Sequence, residues 1–347
     1  MRTILTILLA FAAGVLLMLW MPGRPRHPAV ASSAVVAASA TAIDATSSAV
    51  GDASTNQSGL DDDWPNQGPS PEQVMYAQPR MLRDALARLG PRISGKPNLY
   101  LITFAGDGGE DVFRNEAEYA AQLFTKRFGP SAHSLVLENN PASLATHPLA
   151  DWSNLEGALA GVHQVMQPDQ DILILYVTSH GSEDHTLLVD MDPLPLDQID
   201  AQDLAGILAA HPFKWKVLVI NACYSGGFIP TLRGPGTLVL TAARADRSSF
   251  GCGSESDITY FGHAWLVDGL NHTDNFVDAF KQAQADISRW EQQDKLTPSE
   301  PQIDIGSDIS MQLAQWRKAI TPGPALPFKP ALPAPASAAA ASTIPAH

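Results

Sequence analysis

Ile172-Leu-Ile-Leu-Tyr-Val-Thr178 runs without a charge into Ser179-His180-Gly181-Ser182. An unbroken apolar run of this kind, ended by a glycine-bearing turn, predicts a strand buried on both faces. Four more segments read the same way: Asn98-Leu-Tyr-Leu-Ile-Thr-Phe-Ala105, Ser134-Leu-Val-Leu-Glu138, Val217-Leu-Val-Ile220 and Thr237-Leu-Val-Leu-Thr241. Between them the apolar spacing turns helical, over Phe113 to Phe128, Ser153 to Met166 and Ala201 to Ala210, with two late helices at about 257–269 and 274–294. Ser153, with Glu156 behind it, is the expected cap of the second helix. Strands alternating with helices predict a three-layer α/β/α sandwich around a mostly parallel sheet. No period of roughly 20–50 residues recurs, which excludes a repeat architecture.

Chemistry in such sheets gathers beyond the carboxyl ends of the strands. One strand delivers His180 there, and the Val217–Ile220 strand delivers Asn221-Ala222-Cys223-Tyr224-Ser225-Gly226-Gly227. Parallel strands put His180 and Cys223 on one edge. A thiolate is a strong nucleophile, and an imidazole beside it can protonate a leaving amine, so the pair suffices for acyl transfer. The backbone N–H groups of Gly181 and Cys223 are candidates to cradle the oxyanion. The residues alone also allow a buried thiol and a hydrogen-bonded histidine with no chemistry.

A hydrophobic strand into Ser179-His180-Gly181-Ser182, then a second into Ala222-Cys223-Tyr224-Ser225-Gly226, resembles the legumain-type cysteine peptidases of the caspase-like group, in a bacterial, membrane-anchored or exported form. Further likeness lies in Phe113-Arg114-Asn115-Glu116-Ala117, in Thr241-Ala242-Ala243 through Arg247-Ser248-Ser249-Phe250-Gly251-Cys252, and in Glu300-Pro301-Gln302-Ile303. The resemblance implies a caspase-like fold and endopeptidase activity without a cofactor, with Cys223 as nucleophile and His180 as general acid/base. A peptide or protein substrate follows. Hydrolysis could be replaced by transpeptidation or transamidation on the same fold, or lost in an inactive envelope scaffold. Arg114 and Ser249 fall at pocket-lining positions. Asn221 stands where legumain has an acid, and His263 corresponds to a second pocket acid, so Arg114 is expected to be less compensated and asparagine specificity is not implied. The asparagine that orients the family's histidine falls near Val112, which cannot do so.

The ends of the chain have a different character. Ile4 to Met21 is uncharged, and about 18 apolar residues can span a bilayer. Residues 1–28 are therefore expected to be a signal-anchor, holding the protein at the inner membrane with its bulk facing the periplasm; a cleaved signal peptide is the alternative. Residues 29–66 are rich in alanine, serine and threonine and read as a flexible linker, and residues 319–347, with seven prolines and ten alanines, as an extended or disordered tail. The peptidase domain is expected over 67–318. The chain's net charge of −14 excludes nucleic acid as the main partner.

Other motifs carry less. Gly106-Asp107-Gly108-Gly109-Glu110-Asp111 lacks the lysine and glycine spacing of a phosphate loop and reads as a surface turn. His180, Glu183, Asp184 and His185 lie too close along the chain to converge on an ion, and no second ligand cluster is evident, so no metal is expected. Ser225 lacks the nucleophile-elbow pattern, since Cys223 occupies its first glycine position. Cys252 reads as a free thiol rather than a disulfide partner of Cys223.

Overall fold

The computed structural model describes residues 64–65 and 68–331. Their elements are, in chain order, α1 (Pro71–Ala87), β1 (Leu99–Ala105), α2 (Asp111–Arg127), β2 (Ala132–Glu138), α3 (Trp152–Val165), β3 (Ile172–Thr178), β4 (Thr186–Leu187), β5 (Ile199–Asp200), α4 (Ala201–Ala209) and β6 (Lys216–Asn221). After a 3-10 turn at Ser225–Phe228 come α5 (Ile229–Leu232), β7 (Thr237–Thr241), α6 (Tyr260–Gly262), a π-helical stretch at His263–Gly269, α7 (Leu270–His272), α8 (Phe276–Asp294), β8 (Gln302–Ile305) and α9 (Ile309–Lys318).

Six strands form one sheet in the order β2-β1-β3-β6-β7-β8. The first five run parallel and β8 closes the edge antiparallel to β7. The strands alternate their side chains between two cores, which is why the apolar runs are continuous. Tyr100, Ile102 and Phe104 point with Leu173, Leu175 and Val177 into a core covered by α1, α3 and α4. Leu99, Leu101, Ile174 and Val219 point the other way, under α2, α8 and α9. The mostly parallel sheet flanked by helices is the three-layer α/β/α sandwich that the apolar runs predict, and it is consistent with the caspase-like fold that the resemblance implies. Truncating a side chain such as Phe104, 1% exposed, costs about 3–5 kcal/mol in a core of this density.

Local chemistry explains several boundaries. Asp151, not Ser153, caps α3, its carboxylate accepting from the Asn154 N–H at 2.7 Å. Aspartate one step earlier fits because Trp152 already has helical geometry. The helix α1 went unread in the sequence although Ser70 and Gln73 form a capping box with Pro71 at the first turn. Its apolar stripe is thin: Val74, Met81 and Ala85, joined by the polar Gln78, are its buried residues.

The folded body exceeds the expected 67–318. Trp64 packs beside Val74, Leu144 and Met191, and its indole donates to the Pro69 carbonyl at 2.9 Å. Residues 319–331 contain no helix or strand, yet they are docked. Leu326 O accepts from Tyr119 Oη at 2.7 Å and from Asn271 Nδ2 at 2.9 Å, and Gly323 O accepts from Arg127 at 2.7 Å. Proline removes donors without removing carbonyls, so an extended segment can still be pinned through its acceptors. The signal-anchor and nearly all of the linker, like residues 332–347, lie outside the described residues. Among the described residues no helix is long and apolar enough to cross a membrane.

Candidate active site

The parallel register aligns the site. Ala105 pairs with Thr178 and Thr178 with Asn221, at the last positions of β1, β3 and β6. Two residues beyond each lie Asp107, His180 and Cys223, so all three emerge at one level of the sheet and on one face. Neighbouring strands are about 4.8 Å apart. The ladder continues past the strand ends, through Gly106 N–H to Thr178 O at 3.0 Å and Ser179 N–H to Asn221 O at 3.2 Å.

Gly181 makes the close approach between the two motifs. A Cβ there would collide with the Cys223 carbonyl oxygen and lie 3.1 Å from Ala222 Cβ. Gly181 faces Leu187 in an antiparallel bridge whose hydrogen bonds are made by its neighbours, Ser182 N–H to Thr186 O and Leu188 N–H to His180 O, each 3.0 Å. Its own N–H is not spent on that bridge. Gly227 plays the same part for the His185 ring, which occupies the space where its side chain would be.

Cys223 is half-buried and surrounded by donors. The Ser249 N–H points to Sγ at 3.3 Å and the Ser249 hydroxyl lies 3.6 Å away. Hydrogen bonding from the Cys252 thiol is the largest influence on Cys223; with Ser249 and the field of His180 it outweighs burial and lowers the Cys223 thiol to about 5. Cys252 is pushed up in turn, by its interaction with Cys223 and by burial. Both thiols are unbridged. Ser249, expected along a substrate pocket, here sits on the sulfur. The loop carrying it is held by Tyr224 N–H donating to Arg247 O at 2.7 Å and Ala243 N–H donating to Ser225 Oγ at 3.1 Å.

His180 faces two carboxylates that sequence reading passed over. Its Nε2 lies 3.5 Å from Asp107 Oδ2 and 3.9 Å from Glu110 Oε2, and Phe113 meets the ring edge-on at 5.1 Å. Asp107 is therefore not in a surface turn. It is 6% exposed, because the loop is clamped to residues 188–190: Gly108 N–H donates to Asp190 O at 2.9 Å and Asp190 N–H to Gly106 O at 2.8 Å. Asp107 Oδ1 accepts from the Gly109 N–H at 2.9 Å, fixing the rotamer. Burial raises Glu110, while His180 lowers it. Val112 is buried with Ala105, Phe113 and Ala117. The signal for Asp107 lay in the equal offsets from the strand ends, which become informative only when the register is known.

The remaining expected pocket residues do not converge. Asn221 is 1% exposed and belongs to a core network. Its Nδ2 donates to Glu116 Oε2 at 2.7 Å and Thr259 Oγ1 at 2.9 Å. Glu116 Oε2 also takes Thr178 Oγ1 at 2.7 Å and Tyr176 Oη at 3.0 Å, and Oε1 takes the Thr259 N–H at 2.7 Å. The acid missing at 221 is thus supplied from α2, beneath the nucleophile's strand. Arg114 is 2% exposed and compensated, contrary to expectation: it donates to Asn140 Oδ1 at 3.0 Å and pairs with Asp111 at 3.4 Å. His263 turns to Asp268 at 3.3 Å and to the Trp290 ring at 5.4 Å, where its π-helical backbone directs it.

The model of the Peptidase C13 family, the legumain family, matches residues 151–311. That span contains His180 and Cys223 and begins after Asp107 and Arg114. Over it the chain is similar to the legumain-type cysteine peptidases, and the match supports a cysteine peptidase. No curated protein matches the chain.

Proposed function

We propose that the protein is a cysteine endopeptidase in which Cys223 attacks the scissile carbonyl and His180 manages the protons, with Asp107 holding and stabilising the imidazolium. The observation that carries this reading is the common level of Asp107, His180 and Cys223 on three adjacent strands, with the thiol lowered to about 5. At neutral pH the nucleophile is then a thiolate. Its sulfur bonds to the carbonyl carbon, and the oxyanion that forms is met by the N–H groups of Gly181 and Cys223. Protonated His180 gives its proton to the departing amine, the C–N bond breaks, and a thioester remains. Water, deprotonated by His180, then attacks the thioester carbon, releasing the acid and the thiolate. Asp107 is a positioning residue: it never meets the substrate, and it stabilises the charge His180 carries.

Arg114 and Asn221 are already engaged inside the fold, so the family's pocket chemistry is not transferred to them, and the preference for the cleaved residue is open to experiment. The uncharged run from Ile4 to Met21 supports action at the periplasmic face of an inner membrane. The test is digestion of a peptide library by the full chain beside Cys223→Ala, with and without an added amine. The variant is expected to lose at least about 10⁴-fold in turnover, with hydrolysis products dominating in the wild type. Full activity in Cys223→Ala overturns the assignment, and amide products in place of acids turn it into transpeptidation.

A further inference from the structure

Beyond the row of Asp107, His180 and Cys223, a second group of titratable side chains gathers at the free edge of the sheet. Glu118 comes from α2, Glu138 ends the edge strand β2, and His147 lies in the loop that follows. One ligand atom from each lies within 4.8 Å of the other two. Glu138 is 1% exposed; its Oε1 faces an imidazole, and its Oε2 has no hydrogen-bond partner among the described residues. That imidazole is His147, whose Nδ1 lies 3.1 Å from Oε1 and 3.2 Å from Thr146 Oγ1. A buried carboxylate with one oxygen left unpaired is costly, and a cation coordinated by its oxygens removes the cost.

We propose that Glu118, Glu138 and His147 bind one divalent transition-metal cation of the zinc type. Two carboxylates and an imidazole suit such an ion, whereas calcium takes six to eight oxygens and magnesium retains several waters. Three protein ligands leave a fourth position to water. The His147 side chain is 31% exposed, so the cluster is open to solvent on the loop side. The nearby positive charge is Arg114, one turn before Glu118 on α2. It is drawn towards Asn140 and Asp111, and two carboxylates outweigh it. An ion here joins α2, the end of β2 and the loop after it, which carries Asn140 against Arg114. The role is structural: the ion braces one wall of the edge on which the catalytic row stands.

The test uses the full chain carrying Cys223→Ala and Cys252→Ala, so that no thiol competes for metal and the outcome is independent of peptidase activity. After chelation and dialysis, zinc chloride is titrated by calorimetry and followed by thermal unfolding. The expected result is one zinc ion per chain, with a raised unfolding midpoint. Glu138→Gln and His147→Gln should each weaken binding by at least about tenfold, and calcium or magnesium chloride should leave the midpoint unmoved. His147 lies part-exposed on a loop, so its variant reads binding without altering the buried carboxylate. Three results overturn the proposal: no zinc bound by the thiol-free chain, binding unchanged in the variants, or calcium preferred over zinc.

Discussion

Glu116 and Glu138 are both fully buried carboxylates near the same edge of the sheet, yet their surroundings are opposite. Glu116, on α2, accepts from a backbone N–H, two hydroxyls and an amide, drawn from β3, β6 and the residue before α6. Burial raises its affinity for a proton, and those donors push back. Glu138 has the His147 imidazole against one oxygen and no hydrogen-bond partner for the other among the described residues. A buried charge is tolerated where the fold delivers donors to it. Where donors are missing, a counter-charge must come from outside the chain. The first arrangement fastens α2 to the strand that carries the nucleophile. The second is the carboxylate at the centre of the proposed cation site.

The largest effect that tests this contrast is the loss of Glu116. Glu116→Ala orphans its donors together and should cost on the order of 3–5 kcal/mol in stability, measured by denaturant unfolding; Glu116→Gln, which keeps one acceptor, should cost about 1–3 kcal/mol. Asp107 is intermediate, a carboxylate whose partner is an imidazole, as at Glu138, but one used in chemistry. Asp107→Asn should lower kcat by about 10²-fold with little change in KM. Unchanged kcat would place Asp107 in the loop architecture alone.

A smaller effect is expected at Glu138 itself. In metal-free protein, Glu138→Gln should shift stability by no more than about 1 kcal/mol, since a neutral group replaces an uncompensated charge. A loss equal to that of Glu116→Gln would erase the distinction between the two glutamates. The smallest effect concerns sulfur. Cys223 is a half-buried anion met by donors, and its alkylation rate should rise with pH around a midpoint of about 5. Cys252→Ala removes the largest of those donors and should move the midpoint upward; an unmoved midpoint would leave Ser249 and His180 as its cause.

His180 and Cys223 could be read directly because each follows a continuous apolar run within three residues. Such a run specifies a strand buried on both faces, and its end specifies where side chains reach solvent. Asp107 sat in plain view after the first of these runs and was read as part of a surface turn. Nothing in Gly106-Asp107-Gly108-Gly109 tells that residues 188–190 clamp it or that its level matches that of His180. The strand β8 escaped for a related reason: Gln302-Ile-Asp-Ile305 alternates polar and apolar side chains weakly and pairs only at the edge of the sheet. The docking of residues 319–331 was not legible because proline density reports on donors and says nothing of carbonyls.

Local composition and periodicity were enough to establish the strands of the parallel sheet, the histidine and cysteine at its carboxyl edge, and the distinct character of the two ends. These depend on burial and on spacing within one segment, which neighbouring residues dictate. The carboxylate behind His180, the network under Asn221, the thiol pair and the Glu118, Glu138 and His147 cluster depend on residues brought together from separate segments. Register and helix packing decide those meetings. A buried charge takes its meaning from whatever donors or cations the fold places against it, and no single stretch of chain contains both sides of that contact.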